Sequence, residues 1–238
     1  MEMLAIERMS SDAWERLRAI RMRALRDSPD AFWTTAAEEV TMTPGEWRRR
    51  LERSGAATFV ARRAGADVGL VTGAPHHERQ GDAGLYGMWV APEARGTGAG
   101  VALISSVVQW ARSAGYQSLR LEVGDANAPA VRLYERMGFV PTGVTATFPQ
   151  PRAHITEHER VLDLSSALVL HCAELGRYSG ITLHSAGQGL LALPRAGDLP
   201  LAHAGDRGPD HAREGGVTVL TGQRGRDVDV GPLVEVAA

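Results

Sequence analysis

The sequence predicts an α/β or α+β fold, a mixed sheet with helices on its faces, within residues 1–164. Three observations predict it. Along that stretch the apolar periodicity alternates between two and about 3.6 residues, so strands and helices interleave. Twelve of the thirteen aromatic residues lie before residue 165, Tyr178 being the exception. Residues 165–238 hold twelve of the 27 Gly and neither Trp nor Phe, which is little apolar bulk for a second core.

The elements follow in order. A short strand is expected over Leu4–Arg8, then a helix from Ser11 to Asp27 with Trp14, Leu17, Ile20 and Ala24 at helical spacing and Pro29 beyond its end. Thr43-Pro44-Gly45-Glu46 offers a capping Thr, a Pro at the first helical position and a Glu three residues after the cap, so a second helix starts there and ends by Gly55. Extended segments are expected over 57–62, 67–74 and 83–90, separated by Gly-rich or polar turns. From Gly98 to Ala114 a helix carries Val101, Ile104, Val107, Val108 and Ala111 and should bury one side against the sheet, with Gly115 ending it. Ser118 to Val123 alternates strictly, Leu119, Leu121 and Val123 on one face and the charged Arg120 and Glu122 on the other. A short helix over Ala130–Met137, stopped by Gly138, and strands over 139–147 and 157–164 complete the order β-α-α-β-β-β-α-β-α-β-β.

At 238 residues the chain has room for about one and a half domains, and 44 % hydrophobic with 23 % charged residues is a globular composition. The net charge is −2, and all 26 basic residues are Arg. Without Lys there is no Walker A phosphate lysine, no Schiff base and no lysine base. The near-neutral balance argues against nucleic acid as a partner. Cys172 is the only cysteine, so no internal disulfide forms. No apolar run reaches the ~18 residues of a membrane helix, and the N-terminus lacks the basic and apolar blocks of a secretory signal. The expectation is a cytoplasmic protein with no membrane partner.

The strongest chemical signal runs from Val90 to Val101, from a strand end through Arg95, Gly96, Thr97, Gly98, Ala99 and Gly100 into a helix. Glycines let the backbone approach closely, and the first helix N–H groups are unpaired and carry the positive end of the dipole, so the turn is an anion cradle suited to a pyrophosphate. A dinucleotide fingerprint fails in both frames, at Val101 and at Leu103. A Gly-rich turn without ligand is the bland alternative.

Arg95-x-x-Gly98-x-Gly100 is similar to the Arg/Gln-x-x-Gly-x-Gly/Ala signature of the GNAT superfamily of acyl-CoA N-acyltransferases. Leu121-Glu122-Val123, Asn127-Ala128-Pro129-Ala130 and Leu133-Tyr134-Glu135-Arg136-Met137-Gly138-Phe139 resemble the rest of that family's core, in order and spacing, across residues 1–164. The resemblance implies a mainly antiparallel central sheet and acetyl-CoA as co-substrate, with no metal. It implies that the backbone of Met88, Trp89 and Val90 pairs with the pantetheine arm, that the amides from Arg95 to Gly100 hold the pyrophosphate, and that Asn127 helps fix the pantetheine side. Tyr134 then matches the family's thiolate-protonating tyrosine. Glu122, twelve residues earlier, matches the base proposed in members that acetylate ribosomal-protein N-termini. Reference values put a phenol about 1.5 pKa units above a thiol, so proton transfer from Tyr134 is late; they put Glu about six units below an alkylamine, which is a wide gap for a base.

Other residues are placed by the same resemblance around an acceptor groove: Phe32, Trp33, Glu38 and Glu39 between the first two helices, His76, His77, Glu78 and Asp82 before the long strand, and the loop Phe148–His154. Their acidic and aromatic character favours a cationic acceptor. Each alone reads more simply as packing or a solvated loop, and the His pair lacks a third metal ligand. The expected activity is acetyl transfer to a primary amine, on a small molecule or a peptide; a catalytically silent acyl-CoA-binding or regulatory module is the rival, and it does not require Tyr134 or Glu122. For the extension 165–238 three readings stay open: disorder, a Gly-rich β appendage through 217–220 and 227–236, or contact with a second subunit in a homodimer. Composition favours disorder or loose packing.

Overall fold

A computed structural model of the chain describes residues 3–165 and the backbone of 181–184. Eight strands form one sheet in the order β6-β7-β5-β4-β3-β2-β1-β8. They are β1 (Leu4–Arg8), β2 (Ala57–Arg63), β3 (Ala66–Pro75), β4 (Asp82–Val90), β5 (Ser118–Gly124), β6 (Val140–Thr147), β7 (Thr156–Asp163) and β8 (Ile181–His184). Neighbours are antiparallel except β4 with β5 and β1 with β8. The sheet is therefore mixed and mostly antiparallel, as expected. β8 lies in the segment that composition set apart; the expected strands at 217–220 and 227–236, with Cys172, lie outside the described residues.

The helices are α1 (Trp14–Asp27), α2 (Ala36–Glu39), α3 (Pro44–Glu52), α4 (Ala99–Ser113) and α5 (Ala128–Arg136). The expected start at Ser11 is a 3-10 turn leading into α1. Thr43 and Glu46 form the reciprocal capping box that opens α3, which ends at Glu52, three residues before the expected Gly55. The same device, Thr35 with Glu38, opens α2, a single turn that the sequence reading did not mark. Among the described residues no helix is long and apolar enough to cross a membrane.

The two faces of the sheet differ chemically. On one, α4 lays Leu103, Ile104, Val107, Val108 and Ala111, all essentially buried, against the strands; burial of each Leu, Ile or Val side chain contributes roughly 1.5–3 kcal/mol. The approach is close enough that a Cβ at Gly73 would collide with Trp110 and Val107. The other face carries α1 and α2, and its strands bear polar side chains near β5.

One register sets the position of everything functional. β4 and β5 pair at only three positions, Asp82 with Ser118, Ala83 with Leu119 and Gly84 with Arg120, and then part. Beyond that point β4 stays on β3, through Tyr86 with Thr72, Trp89 with Leu70 and Val90 with Gly69, while β5 stays on β7. A wedge opens between them, flanked by Leu85–Val90 and by Leu121–Gly124.

Candidate active site

The far end of β4 runs straight into the Gly-rich turn and α4. Gly96 and Gly98 have φ of +75° and +92°, a left-handed backbone that glycine adopts without strain, and Gly98 is the N-cap of α4. A Cβ at Gly96 would meet nothing within 4 Å, so the turn is open to an approaching group. The amides of Gly96, Gly98, Ala99 and Gly100 fit a pyrophosphate, whereas two of the expected amides are engaged, the Arg95 N–H donating to the Pro92 carbonyl at 3.3 Å and the Thr97 N–H to the Ala94 carbonyl at 3.4 Å. Thr97 turns its hydroxyl inward, donating to the Ala94 carbonyl at 2.7 Å, which leaves main chain as the contact surface.

Arg95 is more committed than its sequence suggests. Its Nε donates to the Val90 carbonyl at 3.0 Å and a terminal nitrogen to Asp27 at 2.6 Å, while Trp89 Nε1 donates to the same Asp27 oxygen at 2.9 Å. Burial alone would raise the Asp27 pKa, but donation from Trp89, Ser28 and Arg95 holds it below the usual range. Asp27 thus latches the loop and the end of β4 to α1, and Trp89 is a strut of that latch. The free edge of β4 past Gly84 is where the backbone of Met88, Trp89 and Val90 lies.

On the α4 side of the wedge stands α5. Asn127 caps it, accepting from the Ala130 N–H at 3.2 Å, so this side chain has a structural task at the position expected to touch pantetheine. Leu133 and Met88 both crowd Gly100, which brings α5, β4 and α4 together. The next residue, Tyr134, is fully buried, edge-on to Phe139 at 5.7 Å, and its hydroxyl has no hydrogen-bond partner among the described residues. Burial raises its pKa well above the ordinary phenol value, so it stays protonated. A buried, unpartnered donor next to a cleft is the pattern of a group whose partner arrives with a ligand.

On the opposite face Glu122 stands at the lip of the wedge, half-buried, two residues past the last β4–β5 pair and near enough to raise the Tyr86 pKa alongside burial. Its neighbours are committed to one another. Arg120 bridges Asp82 at 2.6 Å and Glu159 at 3.0 Å, and Arg79 adds to Glu159 at 3.7 Å. The space over Gly84 is taken by the Tyr86 ring. His76 accepts from the Glu78 N–H, stacks on His77 at 4.8 Å and is held neutral, its pKa brought down to about 4 by burial and the His77 charge. No group of three or more His, Cys, Asp or Glu among the described residues is placed to hold a metal.

The expected acceptor loops meet through some of the expected residues, Trp33, Phe148 and Arg152, and not through Glu38 or Glu39. Glu39 is buried between Arg21 and Arg50, and Glu38 caps Thr35, so both are structural. Phe32 lies fully buried beneath the Arg21 guanidinium. Trp33 alone of that group reaches the other loop, packing on Phe148 with centroids 6.1 Å apart. Arg152 ties the two loops by donating to the carbonyls of Pro29, Phe32 and Trp33.

The candidate residue that the sequence did not reveal is Glu157. It is 2 % exposed, and its Oε2 accepts from Trp33 Nε1 at 2.6 Å. Burial pushes its pKa up to about 7, with the Trp33 hydrogen bond only partly opposing. The alternation Thr156-Glu-His-Glu-Arg-Val in β7 puts Glu157 and Glu159 on one face, but which residues they oppose depends on the β5–β7 register.

Comparison with known proteins bears on the family and the fold. The acetyltransferase (GNAT) family model matches residues 14–139. A mycothiol acetyltransferase from Thermobispora bispora is 36 % identical over 135 residues, 54 % of this chain and 42 % of that protein. A streptothricin acetyltransferase from Streptomyces lavendulae is 34 % identical over 107 residues, 45 % of this chain and 57 % of that one. The matches thus span about half the length of these relatives. Among solved structures, yncA from Salmonella typhimurium, with its cofactor acetyl-CoA, superposes with a TM-score of 0.56 at 20 % identity over 68 % of this chain and 95 % of its own. A ribosomal-protein-alanine N-acetyltransferase from Brucella melitensis gives 0.56 at 22 % identity, over 66 % and 98 % of the two chains.

Proposed function

Because the chain belongs to the GNAT acetyltransferase family, we propose that it moves an acetyl group from acetyl-CoA to a primary amine, on a small molecule or a peptide, by direct attack. The observation that carries this reading is the wedge, with an anion-binding turn at the end of one lip and an unpartnered phenol on the adjoining helix. Acetyl-CoA supplies an activated thioester. The residues that would hold it are the β4 edge at Met88, Trp89 and Val90 and, of the stretch from Arg95 to Gly100, the amides of Gly96, Gly98, Ala99 and Gly100 that make no backbone bond, with Asn127 shaping the start of α5.

This chain's own groups then manage protons. Tyr134 stays protonated through burial and donates to the departing sulfur, a late transfer because a phenol is the weaker acid by about 1.5 units. Glu122, at the wedge lip on the other face, takes the proton that the acceptor nitrogen sheds once its bond to carbon forms. A nitrogen in that state is far more acidic than an alkylammonium, so its proton is within reach of a carboxylate.

The test is titration of the full chain with acetyl-CoA, followed by release of CoA thiol across a panel of primary amines. Saturable binding, with release for one amine class, is the expected result. Binding without release for any amine would favour the silent binding module.

A further inference from the structure

An amine that is to attack must first lose the proton it carries as an ammonium, and a carboxylate with an ordinary pKa lies about six units too low to take it efficiently. The acceptor side of the wedge holds one carboxylate in a different environment. Glu157 opposes Gly124 across the β5–β7 ladder, and cross-strand partners share a face, so it lies on the same face as Glu122, one strand in from the wedge. Gly124 has no side chain to stand between them. Oε2 of Glu157 is tied to Trp33, and among the described residues Oε1 has no donor.

The charged groups around it are otherwise engaged. Glu159 on the same face holds Arg120 and Arg79, Arg152 in the β6–β7 loop is tied to three carbonyls, and Glu39 in α2 holds Arg21 and Arg50. Glu122 is the remaining acidic neighbour, from β5. His158 and Arg160 alternate to the opposite face, where they meet Asp125 and Glu135. No cation among these is bonded to Glu157, so among the described residues the buried carboxylate has an indole as its only hydrogen-bond partner.

We propose that Glu157 is the group that deprotonates the acceptor ammonium before attack, and that Trp33 is its positioning residue. The inference rests on the acetyltransferase reading above and divides the proton work in three. An N–H bond of the ammonium breaks and an O–H bond forms at Oε1 of Glu157. The free amine attacks, the C–N bond forming as the C–S bond breaks. The nitrogen's second proton passes to Glu122, and the sulfur gains the Tyr134 proton. The nitrogen thus loses two protons, the sulfur gains one, and one is released to solvent as Tyr134 and the carboxylates reset. Burial places Glu157 near 7, about three units below an alkylammonium rather than six, which makes it the better first acceptor.

Two readouts test this on the full chain. The first needs no turnover: the pH dependence of Trp fluorescence in the wild type, Glu157→Gln and Trp33→Phe. A transition centred near pH 7 is expected in the wild type and absent from both variants; a wild type with no such transition overturns the proposal. The second is the pH profile of kcat/KM with an amine that the wild type acetylates. An acidic limb near pH 7 is expected. Glu157→Gln should remove it and lower kcat/KM at pH 7.5 by about 100-fold, with acetyl-CoA affinity unchanged. Trp33→Phe should move the limb to higher pH, because the indole N–H favours the charged carboxylate. Retention of limb and rate in Glu157→Gln overturns the proposal. Failure of the wild type to bind acetyl-CoA would instead strike the acetyltransferase reading.

Discussion

Two glutamates, Glu39 in α2 and Glu157 in β7, are each 2 % exposed, yet burial acts on them to opposite ends. Burial would raise both pKa values. At Glu39 the Arg21 and Arg50 charges overcome it and hold the carboxyl at about 2, whereas at Glu157 only the Trp33 N–H opposes it and the value climbs to about 7. The first carboxylate is paired on every side and fastens α2 between α1 and α3. The second is desolvated with a hydrogen bond but no opposite charge beside it, a costly arrangement for stability that suits a group meant to exchange a proton. The difference shows how the same residue type at the same burial separates into scaffold and site according to its partners.

The contrast can be broken at either end. The largest effect should come from Glu39→Gln, which leaves the Arg21 guanidinium buried without its counter-charge and should cost roughly 3 kcal/mol of unfolding free energy in urea at pH 7. Because the folded pKa of Glu39 is depressed, its contribution is present above about pH 4.5 and is lost as pH falls toward 2, so the variant should melt with a flatter acid limb. Next is Tyr134→Phe. It removes a donor that has no partner in the fold, so stability should hold or rise slightly while kcat falls about 100-fold, or ~2.7 kcal/mol of barrier; unchanged turnover would remove Tyr134 from the mechanism.

Glu157→Gln is expected to go the other way from Glu39→Gln in stability. The folded pKa is raised, so the folded state binds the proton more tightly than the unfolded one between about pH 4.5 and 7, and wild-type stability falls as pH rises through that window. The variant should therefore gain on the order of 2 kcal/mol at pH 8 and little at pH 5, read from melts at both. The smallest effect is expected from Arg152→Ala. Loss of its bonds to three carbonyls should cost about 1 kcal/mol and raise the acceptor KM several-fold, with acetyl-CoA affinity unchanged.

Much of the scaffold was legible because local rules decide it. The capping box at Thr43, the Gly98 turn into α4 and the alternation in β5 each act over a few residues, and the structure has them where the sequence places them. α2 escaped because one turn is too short for periodicity to register, though its capping box at Thr35 was in view. The acceptor side was legible only in part. The resemblance sets Trp33, Glu38, Glu39 and the 148–154 loop around the groove, and for Glu38 and Glu39 the simpler reading as packing is the one that a cap and two arginines bear out. Glu157 was missed because its significance depends on the β5–β7 register and on a loop 124 positions away, which no local pattern encodes.

The central claim is that the wedge between β4 and β5 is where an amine meets an acetyl thioester, and thiol release measured on the full chain with acetyl-CoA and a panel of primary amines tests it most directly. The account predicts release that requires both the thioester and one class of amine and that drops about 100-fold in Tyr134→Phe. Saturable acetyl-CoA binding with no amine-dependent release, or release indifferent to Tyr134→Phe, would contradict it.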